Sequence, residues 1–291
     1  MTNVKKQLWI IVNPISGVKA KKSAIALLEE ELAAHFDIKI KTTKAANHAT
    51  KLATKAVDKK VDAIVAIGGD GTVNEVAKAL IHTTISLAVI PFGSGNGFAR
   101  HLGIPLDAVG AIKKIKEFKV QRIDTATFNG NPFVVTAGIG FDAQIAHEFA
   151  NFGKRGFIAY SQVTLNAFLT YKPKSYTLKI DGNKIKSKAL LICFANAGQY
   201  GNNAWIAPTA SLTDGKIKVC ILKPFPHHLS PDILLKTFNK NLVKSSYYEV
   251  YNAEKVTIKK SRKFHLDGEP YDKAKKKMVI KVVPNSLNVI C

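Results

Sequence analysis

The apolar run Ala63-Ile64-Val65-Ala66-Ile67 passes without a break into Gly68-Gly69-Asp70-Gly71-Thr72-Val73-Asn74-Glu75-Val76. A short continuous apolar run reads as a strand buried on both faces, and the residues after the glycines read as a helix. A buried strand that turns directly into a helix constrains the chain toward a parallel α/β sheet. Glycines without Cβ let a polyanion approach the backbone, and a new helix offers it unpaired N–H groups. Asp70 then stands beside a phosphate, where a carboxylate helps by holding a metal ion or by removing a proton.

The flanking sequence repeats this alternation. Strands are predicted over 8–12, 37–41, 63–67 and 86–91, and helices over 20–34, 48–59, 72–80 and 106–118. Together they describe a doubly wound parallel sheet, an α/β nucleotide-binding domain over 1–123 to which 286–291 returns. After about residue 121 the pattern changes. Asn129-Gly130-Asn131 and Asp181-Gly182-Asn183 sit between alternating apolar runs as hairpin signals, and Thr213-Asp214-Gly215 precedes a strand over 216–222. Helices are expected over 142–149, 156–169 and 231–243, with Ile233, Leu234, Phe238 and Leu242 as a core-facing stripe, and Lys273 to Lys277 as an exposed loop. The reading is a β-rich, largely antiparallel sandwich domain over 124–285.

In a doubly wound sheet, ligands gather beyond the C-terminal strand ends. Here those ends are Asn13-Pro14-Ile15-Ser16-Gly17, Thr42-Thr43, the glycine-aspartate turn, and Pro91-Phe92-Gly93-Ser94-Gly95-Asn96-Gly97-Phe98-Ala99-Arg100. Each alone is ordinary turn chemistry. Four on one edge point to a shared phosphate-binding crevice. The chain has no GxxxxGK[ST], and Gly93-x-Gly95-x-Gly97 misses the GxGxxG spacing and follows the wrong strand, so P-loop and dinucleotide-dehydrogenase readings are disfavoured.

The formal charge of +22 narrows the partners further. Such a field attracts nucleic acid, anionic membrane or phosphorylated small molecules, or simply keeps the surface solvated. No aromatic-basic recognition motif accompanies it, so no specific nucleic acid partner is expected. Cys193, Cys220 and Cys291 form no disulfide or zinc pattern. The longest apolar runs are too short to span a bilayer. A cytoplasmic protein, at most peripherally membrane-associated, is expected.

Late in the chain, Phe264-His265-Leu266-Asp267-Gly268-Glu269-Pro270 places two acids around one glycine. Phosphoryl transfer to a hydroxyl needs a base near that hydroxyl and cations near the phosphate. Asp70, Glu269, a divalent ion and Arg100 or Arg155 would supply them. His227-His228 reads as a surface loop and His265 as a structural histidine. Asp142 reads equally as a helix cap or a head-group ligand, and Asp214 equally as an Asp-Gly turn or a metal ligand.

The ordered set NPISG, GGDGTVNEV, PFGSGNGFAR, GIGFDA and LDGEP resembles the diacylglycerol kinase catalytic-domain superfamily, which includes bacterial lipid kinases and the sphingosine and ceramide kinases. The resemblance runs from Asn13 to Pro270. It implies ATP and magnesium between the two domains, a lipid hydroxyl as acceptor, and work at the cytoplasmic membrane surface; it is compatible with a homodimer. It implies nucleotide contacts from Asn13, Ser16, Gly17, Thr43, Gly69, Gly71, Thr72, Ser94, Gly95 and Asn96, with Glu75 supporting the central turn. It assigns catalysis to Asp70, Glu269 and Asp267, metal binding to Asp70 and Asp214, and a lipid head group to Asp142. Bacterial diacylglycerol kinases usually carry Asp where this chain has Gly97, as the sphingosine-kinase branch carries a small residue. An NAD kinase shares the GGDGT turn but lacks PFGSGN. A non-catalytic basic nucleotide- or nucleic-acid-binding protein is the remaining alternative, opposed by the intact Asp70 and Glu269.

Overall fold

The computed structural model describes residues 5–14, 18–152 and 157–291. The chain forms two compact units, residues 1–123 with 285–291, and residues 124–284. The first unit runs β1 (Lys6–Val12), α1 (Val18–Leu32), β2 (Phe36–Thr42), α2 (His48–Asp58), β3 (Ala63–Gly68), α3 (Asp70–Leu80), β4 (Ser86–Pro91), α4 (Gly97–His101) and α5 (Ala108–Glu117). Its strands lie parallel in the order β2-β1-β3-β4, and Asn288 and Val289 of the C-terminal segment add in parallel to Ser86 and Leu87 of β4.

All six residues of β3 and of β4 are buried, which their unbroken apolar composition requires of strands covered on both faces. Leu8, Ile10, Ile64 and Ile67 are fully buried at the centre of the sheet, each contributing about 2 kcal/mol. The helices pair as α2 with α3 and α1 with α5. The strand order reverses between β1 and β3, so their C-terminal ends flank a topological switch point, the usual ligand crevice of such sheets.

The second unit begins within β5 (Val120–Phe128) and continues through β6 (Asn131–Phe133), β7 (Thr136–Gly140), α6 (Phe141–Asn151), α7 (Phe157–Thr170), β8 (Lys174–Ile180), β9 (Asn183–Ala189), β10 (Leu191–Ala195), β11 (Ile217–Leu222), α8 (Ser230–Phe238), β12 (Tyr248–Ala253), β13 (Lys255–Leu266) and β14 (Glu269–Ile290). Every strand pairing within this unit for which a register is defined is antiparallel, in the order β12-β11-β10-β7-β13-β14 with β8 and β9 branching from β13. Alternation along β10 and β11 feeds two cores. Ile192, Phe194, Val219 and Ile221 enter one, and Cys193, Ala195, Cys220 and Leu222 enter the other, beneath α6, α7 and α8. The two cysteines are therefore core filler, and burial pushes both thiols above their usual range.

Three tight hairpins carry positive φ at both central residues: Asn129-Gly130, Asp181-Gly182 and Asp267-Gly268. This is the geometry Asn-Gly and Asp-Gly pairs favour. In each, the first side chain fastens a neighbouring strand: Asn129 accepts from the Val279 N–H, Asp181 from Glu254 and Lys255, and Asp267 from the loop before β7.

Three expectations need correction. Lys273 to Lys277 lie within β14, because the long antiparallel pairing with β13 continues through them. The helix expected over 231–243 stops at Phe238, since Lys240 adopts a left-handed φ of 58°; Leu242 follows in a separate 3-10 turn. Of the expected apolar stripe, Ile233 and Leu242 are buried, Phe238 is half-buried and Leu234 remains 59% exposed. The helix after β3 begins at Asp70, two residues early, so the glycine turn is itself the first helical turn.

Candidate active site

In the first unit the two glycine loops meet backbone to backbone. Phe92 donates its N–H to the Gly68 carbonyl at 2.7 Å. A Cβ on Gly93 would stand 2.5 Å from the Gly69 Cα and 2.7 Å from the Asn96 Oδ1, and one on Gly68 would stand 2.6 Å from the Thr72 Oγ1. No side chain fits at these positions. Gly71 instead faces open space and is exposed. Asn13 is held at the end of β1 by its N–H to the Ile67 carbonyl, and its amide donates to the Thr72 hydroxyl at 3.1 Å. Beside the second loop a cleft of about 570 Å³ opens, lined among others by Ser23, Leu27, Pro91, Gly93, Asn96 and Asp107.

Asp70 is the first residue of α3, and its carboxylate accepts the Phe98 N–H at 3.3 Å. Burial raises its pKa above the ordinary carboxylate value, and backbone N–H groups of Phe98, Asn96 and Gly97 pull the other way. The carboxylate is thus tied to the second loop while its charge remains undercompensated, as suits a group that receives a cation or a proton.

The remaining residues expected at a nucleotide site divide by what their side chains already do. Asn96, in a left-handed conformation at φ 51°, folds its amide back onto Gly93, accepting from its N–H at 2.9 Å and donating to its carbonyl at 2.8 Å. Arg100 donates from Nε to the Gly95 carbonyl at 3.1 Å. Both shape the loop, while Ser94 is exposed at its crest. Thr43 is buried at the β2 end, its N–H bonded to the Val12 carbonyl. Glu75 works away from the glycine turn: its two oxygens accept the Asn47 and Ala49 N–H groups at 3.0 and 2.9 Å. It caps α2, whose own N-terminal residue supplies no side-chain cap. Ser16, Gly17 and Arg155 lie outside the described residues.

In the second unit, Asp267 accepts three amide N–H groups, from Val134 at 3.0 Å, Val135 at 2.8 Å and Thr136 at 3.0 Å, and returns its own N–H to the Thr136 carbonyl. The carboxylate fastens the hairpin tip to the loop before β7. Glu269, half-buried, opens β14 opposite Leu266 in that hairpin. His265 steadies the same turn: its Nδ1 accepts the Gly268 N–H at 3.3 Å, leaving the Nε2–H to face the Asp142 Oδ2 at 3.3 Å. The Tyr200 hydroxyl donates to that same oxygen at 2.8 Å. Gly138 makes room for the group, since a Cβ there would stand 2.4 Å from the His265 Nε2. Asp142, only 6% exposed, is therefore engaged by two protein donors.

Asp214 accepts the Lys216 N–H at 3.0 Å and faces the Lys218 ammonium at 3.7 Å, while Asp124 takes the Gly215 N–H at 2.7 Å. Among the described residues no group of three His, Cys, Asp or Glu gathers in metal-binding geometry. His227 and His228 lie in an exposed 3-10 turn, as the sequence suggests. The fastening roles of Glu75 and Asp267, and the placement of Tyr200 and Asp124, join residues far apart in sequence, and no local pattern announces them.

A family model described as "Diacylglycerol kinase catalytic domain" matches residues 7–128, and one described as "YegS C-terminal NAD kinase beta sandwich-like domain" matches residues 134–291. A Bacillus subtilis (strain 168) protein named "Diacylglycerol kinase" is 29% identical over 278 residues, covering 91% of this chain and 90% of its own. A Staphylococcus aureus (strain JH9) protein of the same name is 30% identical, covering 76% of this chain and 71% of its own. Among solved structures, that of a diacylglycerol kinase from Bacillus anthracis (strain Sterne) superposes with a TM-score of 0.75, covering 100% of this chain and 98% of the other; at 23% identity it bears on the fold.

Proposed function

Because the chain belongs to the diacylglycerol kinase catalytic-domain family and carries that family's C-terminal domain, we propose that this lipid kinase transfers the γ-phosphate of ATP to the hydroxyl of a diacylglycerol-like acceptor. The observation that carries the reading is the meeting of Gly69 and Gly93 backbone to backbone with Asp70 tied across them. Bare backbone beside a helix N-terminus suits a polyphosphate, and one carboxylate beside it suits magnesium, which takes few protein ligands and several from phosphate and water. Magnesium held there by Asp70 would supply positive charge to offset the negative charge that develops on transfer.

In this reading the chain's own residues orient and hold. Gly69, Gly71 and Thr72 give the phosphates a close approach, and Asn96 and Arg100 keep the second loop shaped for them. Asp70 holds the metal, and Glu269 takes the proton from the acceptor hydroxyl. Asp267 and His265 hold the turn from which Glu269 projects. The Asp142 carboxylate favours a neutral glycerolipid over a sphingoid base, because a sphingoid ammonium would need a counter-ion and this one is already engaged by Tyr200 and His265. The net charge of +22 suits peripheral work at an anionic inner membrane surface.

The test is an acceptor screen in neutral mixed micelles with labelled ATP and magnesium, the products separated by thin-layer chromatography. Label should enter diacylglycerol in preference to sphingosine. Label in sphingosine alone would reassign the acceptor, and label in NADP when NAD is supplied would move the activity to another class.

A further inference from the structure

One face of the second unit gathers eight exposed lysines, none in an ion pair with a described residue. Strands β9, β8, β13 and β14 are adjacent in that order, and their side chains alternate between faces. Leu178, Ile180, Val256, Ile258, Met278 and Ile280 turn inward to the core. On the other face Lys179 stands directly across from Lys184, Lys259 across from Lys277, and Lys255 across from Lys281. Lys186 stands across from Thr177 and Lys188 across from Ser175. All eight lysines are exposed. The positions between them on this face, Ser175, Thr177, Thr257 and Val279, include no acid, and the first acid farther along the hairpin, Asp272, stands across from Lys263.

Like charges directly opposite in an antiparallel pair destabilise it, and this sheet has three such pairs. The same unit matches lysines to acids elsewhere, in Lys223 with Glu249, Lys218 with Asp214 and Lys236 with Asp232. None of the eight forms an ion pair with a described residue. The nearest acids by register, Asp181 and Glu254, lie at the turn end of the strands, and the Asp181 carboxylate accepts the N–H groups of Glu254 and Lys255. A self-repelling array of eight lysines with no acid standing between them is shaped for an anionic partner.

We propose that this four-stranded face is a docking surface for an anionic lipid bilayer. With strands about 4.8 Å apart the array is about 15 Å wide, a broad sheet surface and not a groove. Its cations are lysine ammoniums, point charges on flexible stems that match mobile head groups, with no planar arginine fork. Its outward positions hold no aromatic, Asn or Gln side chain to stack on or read a base, which disfavours nucleic acid. The proposal deepens the lipid kinase reading, on which it rests for its purpose, because the acceptor of such an enzyme resides in a bilayer.

The experiment compares the full-length protein with Lys179→Gln/Lys186→Gln/Lys259→Gln and, as charge-matched control, Lys51→Gln/Lys55→Gln/Lys59→Gln on α2. Sedimentation is measured with phosphatidylcholine vesicles and with vesicles containing about 30% phosphatidylglycerol, for which each well-placed lysine contributes about fivefold. The sheet variant should lose about a hundredfold in partition to the anionic vesicles, and the control clearly less. Its melting temperature should equal or exceed that of the wild type, since repulsion is relieved. Equal losses in sheet variant and control, or equal binding of wild type to both vesicle types, would overturn the proposal. So would duplex DNA binding that the sheet substitutions abolish while vesicle binding survives. Transfer to diacylglycerol in neutral-detergent micelles should be unchanged in the sheet variant. A wild type inactive in those micelles would defeat the kinase reading and leave the vesicle comparison standing.

Discussion

Replacing Asp267 separates a fastening role from a catalytic one. In Asp267→Ala the Val134, Val135 and Thr136 N–H groups lose their acceptor together. Each unpaired, partly buried donor costs about 1–3 kcal/mol, and they share one carboxylate, so the sum falls below simple addition at about 4 kcal/mol. For a unit of about 160 residues that lowers the melting temperature by about 12 °C. Asp267→Asn is milder. Its remaining oxygen can serve Val135 and Thr136, which share Oδ1, but an amide NH₂ now meets the Val134 N–H. About 2 kcal/mol and about 5 °C follow. Scanning calorimetry and kcat at 25 °C, well below the transition, read both effects. Asp267→Asn should retain kcat within about tenfold, since the turn bearing Glu269 stays in place. A variant that melts like the wild type yet loses kcat by about a thousandfold would refute the fastening role and make Asp267 a group at the reacting atoms.

Three further outcomes follow from the geometry. The raised pKa of Asp70 means that the folded state binds its proton more tightly than the unfolded chain, so this residue's contribution to stability falls as pH rises from about 3.8 through the folded value. Asp70→Asn should therefore melt at or above the wild type at neutral pH, with the difference vanishing below pH 3.8, as thermal melts across pH would read. Glu75→Ala should cost about 1–2 kcal/mol by uncapping α2, lowering the melting temperature while the folded enzyme keeps its kcat. Gly93→Ala must part the two glycine loops, because its Cβ would meet Gly69 backbone at 2.5 Å; KM for ATP should rise at least tenfold, at about 1–3 kcal/mol of overpacking.

Features written into neighbouring residues were readable from the sequence, and those made by distant ones were not. The apolar runs at β3 and β4 announce buried parallel strands, and Asn129-Gly130 and Asp181-Gly182 announce two hairpins, because each signal lies within a few residues. Glu75 looks like a companion of the glycine turn from its spacing, yet the helix rotates it onto the end of α2, a partner 28 positions away at Asn47. Asp267 looks like half of an acid pair until the start of β7, 131 positions away at Thr136, arrives to bond it. Lys273 to Lys277 read as a loop because charge density normally means solvent, whereas strand pairing alone decides their conformation and turns the neighbouring lysines to one face. The overlong α8 shows the opposite failure: leucines suited helical spacing, but a left-handed Lys240 ended the helix and left Leu234 in solvent.

The central claim is that Asp70, tied across the two glycine loops, serves phosphoryl transfer to a lipid hydroxyl. The direct measurement is the rate at which label passes from ATP to diacylglycerol in neutral micelles with magnesium, for wild type and for Asp70→Asn shown by circular dichroism to be folded. The wild type should form labelled phosphatidic acid, and the variant should be slower by at least about a hundredfold. Equal rates for the two proteins, or no lipid product from the wild type with any acceptor, would contradict the account.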